Sequence, residues 1–513
     1  MELPIARNEA DDSDTGPHGA RRLRQTFHLW DLVPLSISSV GPLFSVAATA
    51  GVMAALAGWW TLPAIGLLAV PFVVVSFIFR LLNRHFPHAG ASYHWSARVI
   101  GRGVSRYQAW ILILAYFTSI PPIAIPAGSY TLALVAPGYH ASGGVHLIVT
   151  LFWILFAAVP LLMGGRPTAH ITRVFFAVEM CSFVAFAVLG VLNWNRLKVP
   201  IHFGRPPIGG ILIVAVIAAT ILDGWEIDSY AAEESAKPRS HSGVAGIVGA
   251  LGALGFYAVL YPLLLGETPH RLLANANDPL TLWADRLIPS APWLVLIPVL
   301  MSTAGGLWLT SFILTRALFA MGRENLVPSV FSKLNRNGVP HVAIIVTFGL
   351  AALVVVIELF ISSLQAFFSL VLSTAGFFLL AEFLLDSVTA VVFLTVGHRK
   401  FPTMHSGSHR HRWMLAGALL SSVIMAGLLV AFVVYGPRAI GNGIDQTIAV
   451  MLVLGLVFAW STRKRTNSAF VFDGDDSTVR SSKLRFNKFV ASRSARNDFR
   501  TASPTNADVV ADS

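Results

Sequence analysis

Two long stretches of this sequence contain no charged side chain, and they limit the fold more than any other feature. Nothing between Asp31 and Arg80 is charged, and nothing between Arg106 and Arg166 is. An apolar helix needs about 20 residues to cross the hydrocarbon core of a bilayer. Each stretch is much longer than that, so each predicts two crossings. We therefore expect an all-α polytopic membrane protein that resides in a lipid bilayer.

Composition excludes other classes of protein. Only 12% of the 513 residues are charged, against roughly 25% in soluble domains. The net charge of +11 does not indicate nucleic-acid binding, because the basic residues lie in loops and tails, where membrane proteins carry them. Cys181 is the single cysteine, which excludes an internal disulfide. The first 26 residues are polar and of mixed charge, so we expect no cleavable signal peptide.

The apolar segments predict twelve transmembrane helices. Their approximate ranges are 32–57, 61–82, 107–136, 145–163, 170–193, 208–231, 243–265, 292–321, 341–361, 364–396, 413–435 and 444–462. The fifth and tenth segments are the weakest, because Arg173 and Glu179 interrupt the fifth and the tenth contains Glu382 and Asp386.

Loop charge predicts the orientation of these helices. Near the segment ends, the side that carries the N-terminus has 20 Lys and Arg residues, and the other side has six. Basic residues concentrate on the cytoplasmic side of membrane proteins. We therefore expect a multi-pass protein of the plasma membrane with both termini in the cytoplasm.

These features divide the chain into three parts. Residues 1–26 form a cytoplasmic N-terminal tail, residues 27–462 a twelve-helix domain, and residues 463–513 a basic, disordered cytoplasmic tail. The tail is interpreted as solvated, and contact with anionic headgroups is the alternative.

Two of the predicted helices contain helix-breaking residues in their middle. The first has Gly41-Pro42, and the sixth has Asp223-Gly224-Trp225. Helices one and six are five apart, so two five-helix units would cross the membrane in opposite senses. Interrupted helices at matching positions of inverted repeats are typical of the central site of secondary transporters. This predicts a 5+5 inverted repeat, with repeat one at about 32–193, repeat two at about 208–396, and two extra C-terminal helices at about 413–462.

Three motifs resemble one family. DGWEIDSYAAEESAKPRS (223–240), TRALFAMGRENLVPSVFSKLNRNGVP (315–340) and FPHAGASYHWSARVIGRGVSRYQAW (86–110) resemble the amino acid–polyamine–organocation permeases. The resemblance covers about residues 27–462. It implies alternating-access transport, with helices one, two, six and seven rocking against three, four, eight and nine.

The resemblance implies a set of substrate-binding residues around the two breaks. On the first helix Gly41 and Ser45 would bracket the unwound part, with Ser39 or Ser45 supplying a hydroxyl. The family's Gly-x-Gly, whose amides hold a substrate carboxylate, is replaced here by Gly41-Pro42-Leu43. On the sixth helix the candidates are Asp223, Gly224, Trp225 and Glu226, and on the eighth they are Gly305 and Trp308, with Thr310 beside them.

Acidic residues in the apolar segments are the candidates for gating or proton coupling, because a carboxylate in the membrane is costly. Glu226 is a site or gating residue, with a structural cap as the alternative. Asp223 either faces the ligand or bonds to freed amides. Some family members have a lysine linked to proton coupling on the fifth helix; this sequence has none, and Ser182 aligns near that position. Glu179, one turn earlier, is the remaining ionisable candidate.

Other acids are given structural or gating roles. Asp228 is predicted to be structural. Glu233 and Glu234 are expected at a cytoplasmic gate, with Lys237 and Arg239 as partners. The pair Glu382 and Asp386 is expected to face a cytoplasmic vestibule, with a proton role as the alternative.

The sequence therefore predicts a secondary transporter for an amino acid or related amine, driven by proton symport or by exchange, with a cationic substrate favoured. A neutral amino acid permease and a non-transporting amino acid sensor are the alternatives. An enzyme is not indicated, because no catalytic residue pattern is recognisable. An ATP-driven pump would need a phosphate-binding loop that the sequence lacks. We expect no cofactor and no metal.

Overall fold

The structure is a computed structural model, and it describes residues 23–136, 143–276, 278–289, 291, 293–360, 363–400, 409–441 and 443–465. Within these ranges the chain is helical, and the only β pairing is an isolated bridge between Phe27 and Ser235. The all-helical class predicted from the sequence is thereby confirmed for these ranges. Most of both predicted tails lies outside them.

The helices of the first half are α1 (Leu29–Val40), α2 (Pro42–Ala57), α3 (Thr61–His85), α4 (Ala91–Val99), α5 (Arg102–Val135), α6 (Gly143–Met163), α7 (Gly165–Leu197), α8 (Ile208–Leu222) and α9 (Ile227–Tyr230). Those of the second half are α10 (Pro238–His241), α11 (Val244–Glu267), α12 (His270–Ala274), α13 (Pro279–Leu287), α14 (Trp293–Arg323), α15 (His341–Val356), α16 (Leu364–Lys400), α17 (His409–Ala439) and α18 (Ile444–Ser461).

Several of these helices have the length and composition of membrane spans. Nine helical stretches in the described residues are long and apolar enough to cross a bilayer, one of them being the run from α1 to α3, and α8 and α15 are shorter apolar helices. This supports a polytopic membrane protein.

The outer surface of the bundle is apolar, as contact with lipid requires. On α7, Val184, Val188 and Leu192 are exposed, and on α17 Val423 and Val430 are exposed. Exposed apolar surface of this extent is rare on soluble proteins. The polar and charged side chains of the spans turn inward instead, and the candidate site lies among them.

Both predicted helix interruptions are present. Helix α1 ends at Val40 and α2 begins at Pro42, while α8 ends at Leu222 and the short α9 begins only at Ile227. By contrast, α7 runs unbroken through Arg173 and Glu179. Its Arg173 forms an ion pair with Asp31 at the start of α1, and Glu179 is buried against other helices.

Residues 23–28 pack against residues 234–236 at one end of the bundle. The amide of Phe27 donates to the carbonyl of Glu234 at 2.9 Å, and the amide of Ala236 donates to the carbonyl of Phe27 at 2.8 Å. The loop after α3 joins them, since the amide of Ala89 donates to Glu233 Oε1 at 3.0 Å. We call this end, formed by residues 23–28, 86–90 and 232–237, the N-terminal face.

Candidate functional site

The two helix interruptions lie side by side. Gly41 has φ +55° and Gly224 has φ +108°, in the left-handed region that favours glycine. A Cβ atom on Gly224 would lie 2.6 Å from the backbone oxygen of Ser39, which is too close for a real contact. Glycine at 224 therefore allows the break after α8 to approach the break after α1.

A small cavity lies where the breaks meet. Its volume is about 30 Å³, enough for little more than a water molecule. The lining comes from α1, α2, α5, α8, α14 and α16 and comprises Ser39, Val40, Phe44, Ser45, Thr49, Ser119, Pro122, Ile123, Thr220, Ile221, Asp223, Gly306, Thr310, Leu372 and Ala375. The helices are thus packed closely around this site.

Asp223 is the only charged residue in that lining. It is 6% exposed, and its Oδ1 has no hydrogen-bond partner among the described residues. The hydroxyl of Ser39, also in the lining, is unpartnered as well. Other described side chains also have unpartnered buried atoms, but these two lie at one cavity, where a polar ligand would satisfy both.

Glu226 lies behind the cavity and holds the second break in shape. It is fully buried, and the hydroxyl of Tyr116 donates to its Oε1 at 2.9 Å. The amide of Gly224 donates to Oε1 and Oε2 at 3.2 and 3.1 Å. Glu226 therefore satisfies the amide that the unwound chain exposes, which is the cap predicted as the alternative role, and it does not line the cavity.

Glu179 connects the first break to two other helices. On α7, its Oε1 accepts from Ser302 Oγ of α14 at 2.5 Å and from the amide of Leu43, at the start of α2, at 3.5 Å. The hydroxyl of Ser302 in turn accepts from the amide of Phe44 at 3.2 Å. Ser182 donates its hydroxyl to the carbonyl of Val178 in its own helix, so Glu179 is the side chain that reaches the break.

Six of the proposed substrate-binding residues do not line the cavity: Gly41, Gly224, Trp225, Glu226, Gly305 and Trp308. Trp225 is fully buried. Its ring packs against Phe72 and Phe79 at centroid distances of 5.5 and 5.1 Å. Trp308 is likewise buried, with its Nε1 donating to a threonine on α7. On α14 the cavity is lined by Thr310, which was among the candidates, and by Gly306, which follows the predicted Gly305. The sequence cannot reveal which way a helix is rotated in such an apolar bundle.

The acidic pair on α16 is also placed differently from the prediction. Glu382 and Asp386 are fully buried and do not face a vestibule. The hydroxyl of Tyr230 donates to Glu382 Oε1 at 2.7 Å, and Ser92 and Gln108 donate to Asp386 at 2.8 and 2.7 Å. Neutral donors from three other helical segments therefore surround the pair.

Ion pairs close the N-terminal face. Arg323 at the end of α14 donates from Nη2 to Glu233 Oε1 at 2.6 Å, and Arg316 donates from Nε to Glu234 Oε1 at 2.8 Å. The predicted partners Lys237 and Arg239 do not form these contacts. The two arginines tie the chain after α9 to α14, as a gate would.

Two histidines extend this network. His88 and His94 are stacked with ring centroids 3.7 Å apart, and a nitrogen of each lies 3.3 Å from Glu324 Oε1. Burial, together with the neighbouring His94 and the positive charge of Arg323, holds the pKa of His88 well below its usual value. The three ligand atoms are close enough for a metal ion, but Arg323 Nη2 lies 3.0 Å from His88 Nε2. A guanidinium there opposes a second cation, so the geometry suits hydrogen bonding.

Asp228 has the structural role predicted for it. Its Oδ2 accepts from the amides of Gly243 and Gly246 at 2.5 and 2.8 Å, at the start of α11. A carboxylate is favourable at a helix N-terminus. Asp228 therefore anchors the second half of the broken helix to the next one.

The sequence did not indicate the partners Tyr116, Ser302 and Arg316. Each lies more than 80 residues from the acid that it contacts, and no local pattern encodes such pairing. Arg316 and Arg323 both lie within the motif 315–340, which was the one available signal for the two arginines.

Comparisons with known proteins agree with these observations. The family model described as amino acid permease matches residues 27–458. The branched-chain amino acid permease BcaP of Lactococcus lactis subsp. cremoris is 23% identical over 292 residues, which are 52% of this chain and 61% of that protein.

Two eukaryotic proteins are similar to the same degree. The vacuolar cationic amino acid transporter 2 of Arabidopsis thaliana is 25% identical over 296 residues, 54% of this chain and 46% of that protein. The large neutral amino acids transporter small subunit 2 of Homo sapiens is 23% identical over 291 residues, 53% of this chain and 54% of that protein. The matches thus span about half of the length of these relatives, whose printed names differ in the amino acids transported.

Proposed function

The chain belongs to the amino acid permease family, and on that basis we propose that it is a secondary transporter moving an amino acid or related amine by alternating access across the plasma membrane. The observation that carries this proposal is the meeting of two interrupted helices at one cavity, where a buried acid has an oxygen without a partner. A membrane enzyme would require catalytic groups at such a cavity, and its lining has only hydroxyls and a single carboxylate.

In this proposal the helices form the predicted 5+5 inverted repeat with two extra helices, twelve crossings in all. The run α1–α2 would be the first crossing and the run α8–α9 the sixth. Their breaks occupy equivalent places in the two repeats, and this supports the assignment. Both termini would be cytoplasmic, so the N-terminal face would be the inner one.

Alternation would require the inner face to open. Because Glu233 and Glu234 follow the broken helix and Arg316 and Arg323 belong to α14, their ion pairs connect a predicted moving element to a predicted stationary one. Breaking these pairs while the opposite side closes would expose the cavity to the cytoplasm.

We propose Glu179 as the group that couples transport to protons. Its carboxylate contacts Leu43 of α2, which belongs to the group of helices predicted to move. It also contacts Ser302 of α14, which belongs to the group predicted to stay fixed. A proton on Glu179 would remove the negative charge that attracts the amides of α2. Protonation would thereby weaken one of the contacts between the moving helices and the stationary ones. Glu226 would act as a gating residue by holding the second break.

The cavity favours a cationic substrate because Asp223 is its only charged lining residue. A neutral amino acid permease remains the alternative, since relatives with both kinds of name are similar to this chain. A non-transporting amino acid sensor would use the same cavity and would bind without flux.

The experiment that tests the proposal is uptake of radiolabelled amino acids and amines by the purified full chain in liposomes, with and without an inward proton gradient. We expect saturable uptake of a cationic solute, faster with the gradient. Replacing Glu226 by glutamine should lower this uptake about tenfold, because it weakens hydrogen bonds to a charged group. The matched control is Asp445→Asn on the exposed side of α18, which should leave uptake unchanged.

Other outcomes would revise the proposal in distinct ways. Equal uptake of a neutral amino acid by the parent and the Glu226→Gln variant would favour the neutral permease. Binding without uptake or counterflow of any solute would favour the sensor.

A further inference from the structure

We propose that the substrate is an organic amine without a carboxylate, such as an aliphatic diamine, with its ammonium held by Asp223. This inference rests on the proposed transport function and narrows its substrate class. It follows from an account of the donors and charges at the two breaks.

The first break offers no amide for a substrate carboxylate. Gly41 donates its amide to the carbonyl of Ser38 at 3.1 Å, and Pro42 has no N–H. The next two amides, of Leu43 and Phe44, point to Glu179 Oε1 and Ser302 Oγ at 3.5 and 3.2 Å. The amide of Ser45 donates within the helix to the carbonyl of Gly41 at 2.8 Å. Every backbone donor from 41 to 45 is thus missing or engaged.

The protein itself supplies the carboxylate that the N-terminus of α2 attracts. The first amides of a helix and its dipole favour an anion. Glu179 on α7 takes that position, with its Oε1 near the amide of Leu43. A substrate carboxylate would have to displace a buried side chain that is also hydrogen-bonded to Ser302 at 2.5 Å.

The charges of the cavity point the same way. Its lining includes no Lys, Arg or His, and its one charged side chain is the carboxylate of Asp223. A second anion in so small a cavity would repel that carboxylate strongly, because a low-dielectric surrounding screens little. An ammonium would instead satisfy the unpartnered Oδ1 of Asp223.

The helix ends add to this preference. Two half-helices terminate at the cavity with their C-terminal ends, α1 at Val40 and α8 at Leu222, and Val40 and Ile221 belong to the lining. The C-terminal end of a helix carries partial negative charge and favours a cation. The site therefore presents the C-terminal ends of two half-helices and, between them, the unpartnered carboxyl oxygen of Asp223.

The experiment compares solutes that differ only in the carboxylate. Lysine is paired with cadaverine, ornithine with putrescine and arginine with agmatine, each tested as a competitor and as a labelled substrate of the full chain in liposomes. We expect half-maximal effect of each amine at about tenfold lower concentration than that of its amino acid, as one well-placed charged contact provides.

Variants of Asp223 test the residue assigned to the ammonium. Asp223→Asn should abolish the preference for the amines, and Asp223→Glu, which retains the charge, should preserve it in part. Asp445→Asn serves again as the exposed control. If Asp223→Asn fails to fold, the Asp223→Glu variant and the matched solutes still decide the question.

Two results would overturn this inference but leave transport standing: preference for the amino acid of each pair, or equal handling of both members. Absence of uptake and of counterflow for all six solutes and for neutral amino acids would contradict the proposed function as well.

Discussion

At the scale of single residues, the roles of the buried acids differ according to their hydrogen-bond partners. Glu179, Glu226 and Asp228 all accept from backbone amides near helix starts, whereas Asp223 retains an unpartnered oxygen at the cavity. These acids could be identified as candidates from the sequence because they interrupt apolar segments. The sequence did not separate their roles, because the distinction depends on distant donors such as Tyr116 and Ser302.

His88 provides a prediction of pH dependence. It is buried beside Arg323 and His94, with Glu324 and Glu233 facing it. Its pKa is lowered first by burial, then by His94 and then by the positive charge of Arg323. A histidine with a lowered folded pKa stabilises the fold fully above its unfolded value of about 6.5 and loses that contribution as the pH falls below it.

We therefore expect the unfolding free energy of the closed protein to fall by up to about 1.4 kcal/mol for each pH unit below 6.5 on account of this residue. Thermal unfolding in detergent from pH 7.5 to pH 5 would measure it. The His88→Gln variant should have a shallower acid slope, whereas His202→Gln, at an exposed position, should keep the parental slope. Equal slopes in the parent and the His88 variant would contradict the prediction.

At the scale of elements, glycine and proline positions made the broken helices predictable. The break at Gly41-Pro42 and the one at Asp223-Gly224 both appear where the sequence places them. The lengths of the helices were less predictable. Helix α7 spans Gly165–Leu197, whereas the sequence predicted 170–193. Its charges are satisfied by residues far along the chain, so they do not end the helix.

The contact between the broken helix and α14 gives a second prediction. Glu233 and Arg323 are almost fully buried at 0% and 5% side-chain exposure. Removing one charge of a buried pair leaves the other uncompensated at a cost of about 3–5 kcal/mol, whereas removing both costs less. We expect Glu233→Gln and Arg323→Gln each to lower thermal stability strongly, and the double variant to recover part of the loss.

The ion pair of Arg173 with Asp31 serves as the matched control for this double-mutant cycle. The arginine is half exposed, so its pair should contribute only about 0–1 kcal/mol. If the coupling energy between Glu233 and Arg323 were no larger than that of this control pair, the Glu233–Arg323 ion pair would not stabilise the closed N-terminal face.

At the scale of the whole molecule, the alternation between inward-open and outward-open states should be separable from the coupling of transport to protons. We expect Glu179→Gln to abolish the acceleration of uptake by an inward proton gradient, because glutamine cannot titrate. Exchange of labelled for unlabelled solute should persist, since it needs no net proton movement. Counterflow and gradient-driven uptake in the same liposome preparation would measure both, with the exposed Asp285→Asn as control. Loss of both activities, or retention of both, would remove Glu179 from the coupling role.

The family and its general architecture could be predicted from the sequence, but the arrangement of the cavity could not. Uncharged stretches, loop charge and three motifs led to a polytopic permease. On α14 the candidate Thr310 lines the cavity, but Gly306 lines it in place of the predicted Gly305 and Trp308. This rotation depends on how a largely apolar helix packs among its neighbours. That rotation carries no local signature.

The bridge between Phe27 and Ser235 has a consequence for how the protein is made. These residues are about 200 positions apart in the chain, yet the backbone of the first segment is paired with the backbone of the second. At ordinary ribosomal speed the second partner emerges about 10 to 40 s after the first. Throughout that interval Phe27, which is fully buried in the folded protein, lacks its backbone partners at 234–236. The N-terminal face can therefore form only after both α8 and α9 have been synthesised, so its closure is a late step of folding.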